Sequence, residues 1–383
     1  MSAPKLRVLI AAEYARPWPG GISEHVFHEA QYLKAAGHSV CVLSGPGTTA
    51  QAHGPGIEVI PLAHAATFES NGAASRLSFG RALFGLRARL ATYDVVHVHA
   101  PLDPILPLAA VLAAPCPVVG TFHASHGPGA LWSALYGRLS PLAALAVKKL
   151  TASIAVSDEA RRSIAYYQPQ LALRCIPNGV DCARFAGPLR AARAGAIITF
   201  IGRPDPRKGL AHLLRAFERM TRAGLTAELR VIGVDQLPSH DWALLSELAR
   251  TRVHLLGYVH PDAIAHELRA ADILCAPSTH AESQGIVLLE GFAAGVAVVA
   301  SDIPGYRDVV DHMHNGVLCP PANAEALANA LSDLLRDTDK RLRLAAAGLE
   351  ASKRYDWSAV GAQIEQCLRA AAETRPPLQS ALS

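Results

Sequence analysis

The sequence predicts an α/β chain built as two doubly wound Rossmann-like domains, and three observations carry that reading. At 383 residues the chain is longer than one hydrophobic core usually serves. Short β-branched runs alternate with stretches of helical period, the pattern of parallel strands joined by crossover helices. The alternation is interrupted once, by a turn-rich stretch from Pro177 to Gly195, and then resumes.

In the first half the strands are expected at Leu6–Ala11, Val40–Leu43, Val95–His99, Val118–Phe122, Ser153–Val156 and Arg174–Ile176, each bounded by Gly, Pro, Asp or Ser. The first helix should start near Gly21 and stop at Gly37-His38, with Val26, Ala30 and Leu33 on its buried stripe. Beyond the linker a second series runs through Ile197–Ile201, Leu229–Gly233, Val253–Leu256, Ile273–Ala276, Ala297–Ser301 and Gly316–Cys319. These elements give a first domain over 1–185 and a second over 186–350. A C-terminal helix over 351–373 should pack back on the first domain, and residues 374–383 should be a disordered tail.

Composition narrows the function classes. An apolar content of 50% argues against disorder. The opening MSAPKLRVLIAAEY has no long apolar stretch or cleavage site, so a cytoplasmic protein is expected. Cys41, Cys116, Cys175, Cys182, Cys275, Cys319 and Cys367 are odd in number and scattered, as reduced buried thiols would be. Pro104 to Phe122 carries no charge, but Pro107, Pro115 and Pro117 make it a short helix and a strand rather than a membrane span. Net charge is +4, with 15 Lys/Arg against 10 Asp/Glu in residues 1–185, and no nucleic-acid partner is expected.

Ligands of open α/β sheets bind beyond the carboxyl ends of the strands, so the loops after strands are where chemistry is sought. One such loop, Cys275 to Gly285, opens a helix at Ile286–Ala294; it puts Glu282 in the loop and Glu290 about a turn inside. Free amides around Gly285, Ile286 and Val287 can meet an anion, and a carboxylate can accept from two vicinal sugar hydroxyls. Glu290 has Val287, Leu288, Leu289, Phe292 and Ala293 around it and needs partners there. Arg203 and Lys208 follow the strand Ile197–Ile201, where a plain surface turn would also explain them. Gly20-Gly21 follows the first strand, and its backbone can approach a phosphate closely. No Asp-x-Asp follows a strand, and the His pairs 97/99, 123/126 and 312/314 lack an obvious Cys or carboxylate set, so no metal is expected.

The motifs together resemble one family. Glu282-x7-Glu290 within ESQGIVLLEGFAAGVAVVASDIPG is similar to the E-x7-E signature of the retaining glycosyltransferases of family 4, which have the two-domain GT-B fold around a central cleft. PGGISEHV, HVHAPLDP, GTFHAS, IAVSDEAR, IPNGVD and FIGRPDPRKG extend the match along nearly the whole chain, in an order most similar to bacterial phosphatidylinositol mannosyltransferases. The resemblance implies a hexosyltransferase that takes a hexose, mannose among the candidates, from GDP-mannose or a UDP-hexose. The acceptor would be a lipid or glycan hydroxyl, with retention and with no cofactor beyond the nucleotide sugar. It gives Glu290 the ribose, Glu282 a sugar hydroxyl, Arg203 and Lys208 the diphosphate, and Gly20, Gly21, Ser283, Gln284, Gly285, Ile286 and Val287 the rest of the donor site. His123 would lie near the anomeric carbon. Cationic side chains would then replace a metal as the leaving diphosphate gains charge.

Acceptor-side positions differ from those relatives: Ser23 follows Gly20-Gly21-Ile22 where they have glutamine, Ala124 interrupts the TFHTS stretch, and a lysine is lost near Pro128. Lipid and glycan acceptors both stay open, as do guanine and uracil donors. Asn71 to Tyr93, with Arg76, Arg81, Arg87 and Arg89 among apolar residues, matches the basic amphipathic element that meets anionic lipid in the lipid-modifying relatives; a core-packing helix is the alternative. Peripheral association with the inner face of the membrane follows from the first of these. A sugar-nucleotide epimerase or a non-catalytic nucleotide-sugar binder would share the fold.

Overall fold

In the first sheet the strand Arg7–Ala12 is buried on both faces from Val8 onward, which only a sheet covered by helices on each side allows. The computed structural model describes residues 4–70, 73–123, 141–187 and 195–374, and it contains two such sheets.

The strands in chain order are β1 (Arg7–Ala12), β2 (Ser39–Ser44), β3 (Glu58–Pro61), β4 (His64–Ser70), β5 (Ala73–Phe79), β6 (Val95–His99), β7 (Val118–Phe122), β8 (Ala152–Ala155) and β9 (Arg174–Cys175). All but β4 and β5 form one parallel sheet in the order β3-β2-β1-β6-β7-β8-β9. The second sheet contains β10 (Ala196–Ile201), β11 (Ala227–Ile232), β12 (Val253–Gly257), β13 (Ile273–Ala276), β14 (Ala297–Ser301) and β15 (Val317–Cys319), parallel in the order β12-β11-β10-β13-β14-β15. Strand order reverses between β1 and β6 in one sheet and between β10 and β13 in the other. The crevice at such a reversal is where α/β sheets take ligands. The loops after β10 and β13 carry Arg203, Lys208 and Glu282, and His99 and His123 end β6 and follow β7.

The chain divides into two compact units, one ending at Gly179 and resuming at Trp357, the other Val180–Asp356. The boundary falls earlier than 185 because Asp181 caps the helix Cys182–Phe185 and Phe185 lies in the core of the second unit with Leu274, Leu288 and Phe292. Tyr355, in the same core, likewise keeps 351–356 with the second unit. The final helix, Trp357–Glu373, places Trp357, Val360, Ile364 and Leu368 in one core with Val26, Ala30 and Leu33 of the helix Gly21–Ala35.

Two further expectations change. From Ala73 to Leu90 the chain is not one amphipathic helix: β4 and β5 pair antiparallel, a 3-10 turn spans Arg81–Leu83, and only Leu86–Leu90 is α-helical. Arg76 sits inside, its Nε donating to the Glu13 carbonyl at 3.1 Å, so one of the four arginines of the expected basic element is a core hydrogen-bond donor. Of the seven cysteines, all free, Cys175 is exposed and Cys182 half-buried; β9 lies at a sheet edge and the Cys182 helix begins the second unit. Pro104–Phe122 folds as the short helix Leu106–Ala113 and then β7, and among the described residues no helix is long and apolar enough to cross a membrane.

Candidate active site

In the second unit the loop after β10 is shaped by its own residues. Asp205, buried, accepts from the Arg207 backbone N–H at 2.9 Å and from the Arg207 guanidinium at 2.6 Å, which caps the 3-10 turn Pro206–Lys208. Gly209 then adopts a positive φ of 74°, and a Cβ there would lie 1.9 Å from the Pro277 carbonyl oxygen, so the two loops touch because this position has no side chain. Thr279 N–H donates to the Arg207 carbonyl at 2.7 Å and fixes the loop after β13 against the loop after β10.

That contact brings two predicted residues together. Lys208 Nζ donates to Glu282 Oε1 at 2.6 Å, and Ser278 Oγ donates to the same oxygen at 3.2 Å. Ser278 also bonds the Tyr306 hydroxyl at 2.9 Å, and burial, reinforced by the nearby Glu282 charge, holds that phenol well above its ordinary pKa. Tyr306 therefore stays neutral and acts only as a hydrogen-bonding support. Arg203 is on the same loop but exposed, outside the Lys208–Glu282 pair.

Gly285, at a φ of 80°, starts the helix Ile286–Ala293 after Ser283 and Gln284, and the first amides of a helix have no partner within it. Glu290 is half-buried in this helix, with Arg184 Nη2 3.8 Å from its Oε1. Glu282 and Glu290 thus belong to two separate ion pairs. Ser278, Tyr306 and Arg184 were not singled out from sequence; only Ser278, two residues beyond a strand, carried a signal.

In the first unit Gly20 precedes the helix Gly21–Ala35 with a φ of 145°, and nothing lies within 4 Å of where its Cβ would be. The backbone is open to a ligand there. Arg16 clamps Glu24 in the first turn through contacts of 2.8 and 2.5 Å. His123 is not isolated: His99 Nδ1 and His123 Nε2 are 2.8 Å apart. Behind them His97 Nδ1 donates to Glu29 Oε1 at 2.5 Å, His97 Nε2 accepts from the Thr121 hydroxyl at 2.7 Å, and His25 Nδ1 bonds Asn178 Oδ1 at 3.0 Å. Burial lowers the His25 pKa to about 3 and drives His123 well below its ordinary value, so both rings are neutral at pH 7. Burial alone would raise the Glu29 carboxyl, but His97 and His99 hold it ionised and below the usual range. Glu29 supplies the carboxylate that the His pairs lacked in sequence. His126, Ala124, Ser125 and Pro128 lie outside the described residues. Asp337, Thr338 and Asp339 are exposed, and Asp337 caps a helix through the Lys340 N–H.

Two family descriptions divide the chain in turn: Glycosyltransferase Family 4 matches residues 19–184 and Glycosyl transferases group 1 matches residues 188–351. A phosphatidyl-myo-inositol mannosyltransferase of Mycolicibacterium smegmatis is 37% identical over 372 residues, covering 94% of this chain and 92% of that one. The enzyme of the same name from Mycobacterium leprae is 34% identical over 388 residues, 98% of this chain and 100% of the other. A glycogen synthase of Mycobacterium tuberculosis is 31% identical over 400 residues, 96% and 95% of the two chains. In fold, a glycosyltransferase of Rickettsia africae superposes with a TM-score of 0.75 at 18% identity, covering 97% of this chain and all of the other. Anabaena HepE, solved with UDP and glucose, superposes with a TM-score of 0.74 at 21% identity over 95% of this chain and all of its own. With two Rossmann-like domains of the GT-B class and such relatives along its whole length, the chain belongs to the glycosyltransferases of family 4.

Proposed function

We propose that this glycosyltransferase moves mannose from a nucleoside diphosphate donor to a hydroxyl of a phosphatidylinositol-type lipid, with retention at the anomeric carbon. The carrying observation is the Lys208–Glu282 contact of 2.6 Å beside the start of the helix Ile286–Ala293. A cation, a carboxylate and a helix N-terminus in one place suit a diphosphate that gains charge as it leaves while a sugar hydroxyl is held. Arg203 would close on the diphosphate, Glu290 would accept from the ribose hydroxyls, Ser283 to Val287 would line the phosphate, and Gly20-Gly21 would let the backbone approach it. His123 would line the reacting face. In the front-face mechanism the acceptor oxygen bonds to the anomeric carbon as the bond to the diphosphate breaks, and the departing phosphate oxygen takes the acceptor proton. No dedicated base and no metal at the diphosphate are then required.

The mannose and the lipid rest on the mannosyltransferase relatives, and the glycogen synthase relative favours a glucan acceptor as the second reading. Exposed Phe79 and Phe84 beside exposed Arg81 and Arg87 suit an anionic surface, which supports peripheral association with a membrane.

The test is a panel of GDP-mannose, UDP-glucose and UDP-N-acetylglucosamine with phosphatidylinositol vesicles or with glycogen, followed by nucleotide release and NMR of the product. A mannolipid of retained configuration is expected. Glucose added to glycogen would support the second reading, and no nucleotide released from any donor, with or without acceptor, would refute both.

A further inference from the structure

Three buried side chains of the first unit turn one polar atom each toward a common point, and none of those atoms has a hydrogen-bond partner: His25 Nε2, Glu29 Oε2 and His99 Nε2. The side chains are 1%, 0% and 0% exposed. Glu29 Oε2 is 3.7 Å from His25 Nε2 and 3.0 Å from His99 Nε2, and all three atoms lie within 4.8 Å of one another. The 3.0 Å approach of His99 Nε2 is an ion pair with Glu29 whenever that nitrogen carries the proton, and a bond to a cation would replace it.

The far side of each group is engaged. His25 Nδ1 bonds Asn178 Oδ1 at 3.0 Å, and since an amide oxygen only accepts, the proton is on Nδ1 and Nε2 carries the lone pair. Glu29 Oε1 accepts from His97 Nδ1 at 2.5 Å, which orients the carboxylate and leaves Oε2 to the cluster. His99 Nδ1 is 2.8 Å from His123 Nε2; when it donates there, His99 Nε2 also presents a lone pair. With the His99 proton on Nδ1, three lone pairs converge in a buried interior and repel each other unless a cation lies between them. Outer partners that fix the ring tautomer and turn the carboxylate are the usual support of metal ligands.

We propose that His25, Glu29 and His99 bind a divalent transition ion of the zinc class. Tetrahedral bonds of about 2.0–2.1 Å separate ligand atoms by roughly 3.4 Å, which the observed spacing reaches with small side-chain movements. Two imidazoles and one carboxylate make three protein ligands and leave a fourth position for water or a substrate oxygen. Among the described residues this is the one His, Cys, Asp or Glu set with such spacing. Sequence hides it, because Glu29 is one of two acids in an amphipathic helix and its partner His99 is 70 positions away. Loading the site has a consequence for His123. With Nε2 of His99 on the ion, His99 keeps its proton on Nδ1 and donates to His123 Nε2, so His123 carries its own proton on Nδ1. The proposal does not depend on the donor or acceptor suggested above.

The experiment uses the full chain, freed of metal by chelator dialysis and titrated calorimetrically with Zn²⁺, with Co²⁺ as the spectroscopic probe. One tight equivalent is expected, and the Co²⁺ form should show the intense visible bands of a tetrahedral site without a sulfur charge-transfer band. Glu29→Gln and His25→Gln should each weaken binding at least 100-fold, whereas His240→Gln, at an exposed histidine, should leave it unchanged. Wild-type protein with no such equivalent, a weak octahedral cobalt spectrum, or undiminished binding by folded Glu29→Gln would overturn the assignment. If the variants fail to fold, the wild-type cobalt spectrum decides alone.

Discussion

Lys208 Nζ and Glu282 Oε1 are 2.6 Å apart although 74 residues separate them, because Gly209 lets the loop after β10 pack on the loop after β13. The two charges neutralise each other. On the proposed function, a diphosphate that draws Lys208 would free Glu282 for a sugar hydroxyl.

Replacing either partner should therefore do more than delete one contact. On the proposed function, Lys208→Ala removes the cation that would meet the developing charge and leaves the carboxylate of Glu282 with Ser278 but without its ion-pair partner. We expect kcat to fall about 100- to 1,000-fold. Glu282→Gln keeps the shape, loses the charge and should cost about tenfold. The double variant should be less impaired than the product of the singles, since each single leaves a half-buried charge without its partner. Steady-state kinetics on the four proteins checks this; strictly multiplicative effects would mean that the pair does not act as a unit.

Glu290 should show itself in donor affinity instead. With Arg184 Nη2 3.8 Å from its carboxylate, the charge is already held in place, and ribose hydroxyls would add hydrogen bonds to an ionised acceptor, each worth about 1.5–3 kcal/mol. Glu290→Gln should raise the donor Kd about 10- to 100-fold and weaken the free nucleoside diphosphate equally, because the sugar is not involved. Calorimetric titration with diphosphate and with intact donor separates the cases; selective loss of the intact donor would reassign Glu290 to the sugar.

How much of this was legible depended on where a residue sits relative to a strand end. Glu282, Lys208, Gly285 and His123 were readable because each follows a β-branched run, and parallel sheets put ligand loops there. Glu29 was not, because it lies inside the helix Gly21–Ala35, where period alone cannot tell a buried acid from a solvated one; only the fold brings His97 and His99 to it. Arg76 misled in the opposite sense. Its place among leucines and phenylalanines suggested a basic helical face, and the backbone carbonyl of Glu13 that makes a buried strand arginine tolerable comes from 63 residues earlier. The Gly80 and Gly85 that divide the segment were in plain view, and they end the hairpin and start the helix Leu86–Leu90.

Gly209→Ala should be severe for a reason that Gly224→Ala isolates. Both glycines have positive φ, 74° and 78°, so an alanine at either pays the left-handed strain of about 1–2 kcal/mol. Gly224 has open space around the added methyl, whereas Gly209 has the Pro277 carbonyl oxygen at 1.9 Å. Denaturant unfolding should show Gly209→Ala at least about 2 kcal/mol less stable than Gly224→Ala, with loss of donor binding in the first alone. Equal stabilities would mean that the two loops separate without cost.

His53 should make the first unit acid-sensitive. Its ring is fully buried with neither nitrogen hydrogen-bonded, and burial, assisted by the charge of Arg16 and opposed by Glu24, lowers its pKa from 6.5 to about 4. Between these values the unfolded chain binds a proton at this site and the folded chain does not. The stability contributed by the neutral ring is therefore complete above about pH 6.5 and is lost as pH falls toward 4, up to about 3 kcal/mol in all. His53→Leu removes the titrating group and keeps an apolar side chain of similar reach. Its Tm should fall less steeply than that of the parent protein between pH 7 and 4, with the two curves converging or crossing toward the acid end. Parallel curves across that interval would mean that His53 takes up its proton equally well in the folded chain, and that the acid sensitivity arises elsewhere.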